Sequence, residues 1–269
     1  MEYGKAFFDL QLRFAQAARA LTGISLERAV LDYTNVYIRF GLGRDFNTGH
    51  AVWREYADGL VDAPDIGDWT YRHYLRLGAD RPGVAAPGVH RPGAVFGCFS
   101  YVMQDAATVR LHFHNAEPAP ASPLSGNRLS LRIGELRALF RAIRRDQPAA
   151  TRVAGTSWLY NLLAYRRCFP ADYADSVRWV GDRFRNVSLW GQFLRRDGTL
   201  RVQAVREFEA GWAQAGDARD LAACFPLRAL AAEASIASFY LHYGIAQGRT
   251  GGPSSSAHSR AAGLARPSL

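Results

Sequence analysis

Two histidines stand two residues apart in VRLHFHN, Val109–Asn115, inside an otherwise apolar, strand-forming run. Alternate side chains of a strand share a face, so Val109, Leu111 and Phe113 point one way while Arg110, His112 and His114 point the other. An H-x-H pair on one strand face can supply two nitrogens to a metal ion, which then needs a third and usually a fourth ligand. Glu117 is near in sequence, and His242 would have to come from a distant helix. Arg110 on the same face opposes a cation, so no metal is assigned to these residues. The same permanent charge, joined by two rings that protonate near pH 6.5, suits an anion. The face is therefore read as a polar surface contacting an anionic ligand, with a half-solvated strand as the plain structural alternative.

Other segments with chemical potential read differently. GTSWL, around Ser157, does not match the G-x-S-x-G nucleophile elbow, because Leu159 stands where the second glycine belongs. Cys98 lies in an apolar strand, the setting of an inert core thiol. GLGRDF, Gly41–Phe46, lacks both the Lys-Ser/Thr ending and the preceding strand of a phosphate loop, and reads as a glycine-rich turn. Cys98, Cys168 and Cys224 are far apart, odd in number and form no C-x-x-C, the pattern of neither a disulfide scaffold nor a structural zinc site.

The elements that would position these residues follow from periodicity. Phe7, Leu10, Phe14, Ala18 and Leu21 form one helical stripe that ends at Gly23. Ser25 caps a second helix with Leu26, Val30, Tyr33, Tyr37 and Phe40 on its face, and shorter helices are expected over His50–Leu60 and Asp65–Leu77. The prolines and glycines of Arg81–Gly93 exclude helix and mark a linker. Beyond it, AVFGCFSYVMQ and ATVRLHFHN read as an antiparallel hairpin. A helix over Ile133–Arg145 buries Leu136, Leu139, Phe140 and Ile143. RVAGTSWLY is a strand, followed by a short helix ending at CFP. SLWGQFLRRDGTLR places an RDGT turn between two apolar segments, and helices near Val202–Ala215 and Leu227–Tyr243 close the fold. The expected organisation is a helical part (1–80), a linker (81–93), an α/β part (94–245) and a disordered tail (246–269), the two folded parts sharing one core. The fold class is α+β: a helical N-terminal layer packed on a mixed or antiparallel sheet with flanking helices.

Composition narrows the function classes. The 269 residues carry a formal charge of +9, yet Lys5 is the one lysine among 33 basic residues, an imbalance expected of a GC-rich bacterial genome. Without an accompanying motif, that charge does not indicate nucleic-acid binding. MEYGKAFFDL carries acidic residues where a signal peptide carries positive charge, and no apolar run reaches the roughly 20 residues of a membrane span. The expectation is a soluble, cytoplasmic protein with no membrane partner.

VRLHFHNAEPAPASPLS, RIGELRALFRAI and RVAGTSWLYNLLAYRRCFPADYADS also occur in a recognisable order. A histidine-bearing strand precedes a Pro-Leu loop; a Leu/Phe-faced helix, a Ser-Trp-Leu segment, a Phe-Pro and a serine follow. This order resembles the acyltransferase-like domains of bacterial proteins described as GNAT-like C-terminal domains, over Val95–Phe208. The resemblance implies a mixed sheet with flanking helices and acyl transfer from a thioester cofactor such as an acyl-CoA. On it, His112 and Ser157 are the candidate catalytic residues. Arg110, His114, Asn115, Trp158, Tyr160 and Asn161 are candidate contacts to a small anionic or acyl ligand. The Q/R-x-x-G-x-G/A loop that grips pyrophosphate in N-acetyltransferases is absent. The alternative is a ligand- or partner-binding protein that keeps the fold without catalysis. In that case Trp158 and Tyr160 fill a core while Ser157 and Asn161 bond nearby backbone.

Overall fold

The stripe at Phe7, Leu10, Phe14 and Ala18 is buried along α1 (Lys5–Thr22), with Leu21 half-buried at its end. Gly23 stops the helix at φ 71°, a left-handed conformation that costs glycine nothing, and its N–H closes onto the Arg19 carbonyl. The computed structural model describes residues 3–79, 95–118, 121–181, 184, 185 and 187–245. The linker read at 81–93 and the tail read at 246–269 lie outside the described residues.

Ser25 caps α2 (Leu26–Tyr33), its hydroxyl accepting the Arg28 N–H at 3.1 Å. The second helix does not run on to Phe40 as its periodicity suggests. Thr34 turns its hydroxyl back onto the Val30 carbonyl at 2.6 Å, competing with the helical ladder. Gln11, fully buried on α1, accepts the Asn35 N–H at 2.9 Å, and the chain restarts as α3 (Val36–Arg39). Tyr37 and Phe40 still reach the core. Next come α4 (Ala51–Asp62), with the His50 ring accepting the Val52 N–H, and α5 (Ile66–Ala79). Lys5 fastens the starts of α1 and α5, lying 2.9 Å from Asp9, 3.4 Å from Asp68 and 3.9 Å from Asp65.

The hairpin forms as its alternation requires. β1 (Phe99–Met103) and β2 (Thr108–Phe113) pair antiparallel, with Ser100 opposite His112 and Val102 opposite Arg110. α6 (Leu129–Asp146) buries Leu136, Leu139, Phe140 and Ile143 and returns the chain to β3 (Arg152–Ser157), parallel to β2. A 3-10 turn over Trp158–Asn161 leads to the short helices α7 (Leu163–Arg166) and α8 (Ala171–Asp175), and then to β4 (Arg178–Trp179). After α9 (Val202–Trp212) and α10 (Ala218–Ala223) come β5 (Leu230–Ser235) and α11 (Ile236–His242). The mixed sheet runs β1-β2-β3-β5-β4, and the fold is α+β.

One further local expectation is corrected. Leu227–Tyr243 is not one helix, because its first half is the strand β5. LAAEAS has helix-favouring alanines, but all six residues pair with β3, and that ladder overrides a weak intrinsic preference. Ser235 then caps α11 by accepting the Ala237 N–H at 3.3 Å. SLWGQFLRRDGTLR keeps its turn, with Gly198 at φ 84°, but its flanks are a 3-10 turn at Trp190–Phe193 and a lone Leu194–Leu200 bridge.

The apolar residues divide into two clusters whose border is not the linker. One joins Val109, Leu111, Leu136, Phe140, Val153, Tyr173 and Phe239 beneath the sheet. The other joins α1 to α4 with Phe184, Trp190, Phe193, Phe208 and Phe225, residues from the excursion between β4 and β5. The Phe14 ring lies 5.1 Å from Phe208 and 5.4 Å from Phe225, and Arg13 meets Glu209 at 2.7 Å. The helical part is thus completed by chain that follows the sheet's first four strands.

Two outcomes follow. Residues 94–245 expressed alone leave Trp190, Phe208 and Phe225 without their partner Phe14 on α1, so the fragment should lack the cooperative thermal transition of the full chain in circular dichroism. His73 is 3% exposed among Phe40, Tyr56 and Trp69, and burial, then the Arg76 charge, lower its pKa to about 4. Unfolded histidine protonates near pH 6.5, so this contribution is whole above that pH and is lost as pH falls toward 4, on the order of 3 kcal/mol. Urea unfolding across that window should show the loss, and His73→Phe should remove it.

Candidate functional site

Strand register sorts the sheet into an apolar face and a polar one. Val109, Leu111 and Val153 lie under α6 and α11 in the buried cluster. On the other face Arg110 stands beside Ala154, which faces Glu233 across β5. Two residues along, Thr156 faces Ala231, which faces Arg178 on β4. A cleft of about 410 Å³ opens there, bordered by Arg110, Thr156, Arg178 and Glu233 with Ala154 and Ala231 between them.

Two charged groups of this cleft, Arg110 and Glu233, are held in place. An Nη of Arg110 donates to the Thr156 hydroxyl at 3.1 Å, which fixes both side chains. Arg152 and Glu233 form a close ion pair at the rim. Arg44, from the glycine-rich turn before α4, is exposed overall, yet its pKa is lowered. Burial of its charged end is the first cause, and the positive charges of Arg110 and Arg39 follow. The turn that reads as no phosphate loop therefore brings a cation close to the sheet's own arginine.

Of the residues singled out in the sequence, Arg110 lines the cleft, and His112 shares its face farther along β2. His114 is exposed past the end of β2, its N–H bonded to the Cys98 carbonyl at 2.9 Å, and Asn115 accepts the Glu117 N–H at 3.2 Å. Ser157 falls on the opposite face from Arg110 by alternation along β3, and its hydroxyl accepts the Leu159 N–H at 3.1 Å to start the 3-10 turn. His112 and Ser157 are therefore not brought together. Tyr160 is 2% exposed in the core, its hydroxyl 2.6 Å from that of Tyr173 and its pKa pushed up to about 12 by burial. Asn161 donates to the carbonyls of Trp158 at 2.6 Å and Arg228 at 2.8 Å, tying the turn to the chain entering β5. Trp158 is half-buried within that turn.

The remaining chemistry-bearing groups are occupied elsewhere. Glu117 is 2.6 Å from Arg132, a residue 2% exposed that also meets Glu135 at 2.8 Å and donates to the Cys98 sulfur. Burial, more than these charges, pushes the Cys98 thiol up, and burial drives Cys168 to about 11. His242 sits on α11, across the sheet from His112. Among the described residues no group of three or more His, Cys, Asp or Glu is placed to hold a metal ion, and no helix is long and apolar enough to cross a membrane.

Sequence reasoning missed Arg178, Ala231 and Glu233. A two-residue strand leaves no periodicity, and an alanine-rich strand carries a helical signature. Comparison with known proteins adds no candidate: no family model matches the chain, and no curated protein or solved structure matches it either.

Gly155 keeps the floor of the cleft thin. A Cβ there would overlap the Tyr160 and Tyr173 hydroxyls on the core side. Gly155→Ala should therefore cost about 1–3 kcal/mol in chemical denaturation, as overpacking of a filled site does.

Proposed function

We propose that the protein binds a small anionic molecule in the cleft on the polar sheet face. The observation that carries this reading is that Arg110 and Arg178 share that face around two alanines, with Thr156 held by Arg110. Guanidinium groups present paired N–H donors that match carboxylate and phosphate oxygens. Glu233 opposes an anion less than its position suggests, because Arg152 is paired with it. The cleft binds its ligand without transferring an acyl group. Ser157, the hydroxyl that the GNAT-like resemblance would put to work, starts a turn on the face away from His112.

Calorimetric titration with acetate and with inorganic phosphate tests this reading. At least one should bind, and its affinity should fall as salt is raised. Arg110→Ala should weaken binding by about tenfold or more while stability changes by about 1 kcal/mol, as for a half-buried polar side chain. Unchanged affinity in that variant, with the fold intact, would overturn the assignment.

A further inference from the structure

From the layout of the same cleft, and resting on the reading that it binds an anion, we infer that its ligand is a linear dicarboxylate, one carboxylate at Arg110 and the other at Arg178. Arg110 and Arg178 stand on β2 and β4, separated by β3 and β5. Three strand spacings across the sheet and two residues along it put their Cα atoms roughly 16 Å apart, so no single carboxylate satisfies both without drawing the side chains far inward. The strand positions between them on the diagonal are Ala154 on β3 and Ala231 on β5, which carry only methyl groups. A hydrocarbon segment fits that middle.

The flanks point the same way. Thr156 stands on one side of the alanine path and Glu233 on the other. A ligand charged along its whole length would place negative charge beside the Glu233 carboxylate. A ligand charged at its ends leaves that region to its neutral middle. The two ends also differ. The Arg110 end holds the Thr156 hydroxyl and lies close to the charge of Arg44, whereas Arg178 is exposed on an edge strand. One carboxylate is therefore held more tightly, and the second adds its effect by being tethered to the first.

Calorimetry on the full chain separates the layers of this inference. Succinate, glutarate and adipate are compared with butyrate, and pyrophosphate serves as the compact, doubly headed control. One of the dicarboxylates should bind at least about tenfold tighter than butyrate and tighter than pyrophosphate. Arg178→Ala, at an exposed position, should erase that advantage, so that the dicarboxylate and butyrate bind the variant within about threefold of each other. Dicarboxylate and butyrate binding equally, pyrophosphate binding tightest, or an advantage that survives Arg178→Ala would each overturn the dicarboxylate while leaving an anion at Arg110. Absence of binding by any of these compounds, and by acetate and phosphate, would overturn the anion site beneath it.

Discussion

The pairing of β5 against β3 is the constraint on which the rest depends. Six residues of each strand are joined, and among the described residues β4 pairs with β5 alone. Without that ladder Arg178 loses its place opposite Arg110 and Ala231 leaves the floor of the cleft. α11, which begins where β5 ends, loses its seat beneath the sheet. Gly155 permits the arrangement, because its bare Cα lets the Tyr160 and Tyr173 hydroxyls close against β3 opposite Ala232. Polar hydroxyls at the back of a strand are tolerated because they satisfy each other.

The arginine excess serves two opposite purposes. Arg132 is buried, and two glutamates meet it, so that charge is consumed inside the molecule and fixes the start of α6 against the hairpin. A lone buried guanidinium would cost far more than such a pair. Around Arg44 the balance is reversed: the charges of Arg110 and Arg39 both disfavour its own. Clustered like charge is costly in a folded state and becomes favourable once a counter-charge arrives. Net charge alone does not distinguish these uses; the placement of Glu117, Glu135 and Glu233 does.

How much of this could be read beforehand depended on how local each signal was. The α1 stripe, the Ser25 cap and the β1–β2 hairpin are written in neighbouring residues and were legible. The break at Thr34 was not, since it rests on Gln11 from another helix. β5 was hidden because alanine prefers helix and the pairing that overrules it lies far away in sequence. The same holds for the placement of Phe208 and Phe225, whose spacing shows that they are buried but not in which cluster. At the candidate site Arg110 was legible from alternation. Arg178 and the alanine floor were not, for they acquire meaning only through register across β3 and β5.

The route of the chain between the two clusters has a consequence for biosynthesis. The N-terminal helices emerge from the ribosome first, yet their apolar faces wait for Phe184, Trp190, Phe208 and Phe225. The sheet is begun by residue 99 and closed by β5, after that excursion. Neither cluster can be finished before almost the whole described chain has been made, so the molecule cannot assemble one part at a time as it is translated. Long-range closure of this kind slows folding and leaves the open edge of β3 and the aromatic face of α1 uncovered in the interval.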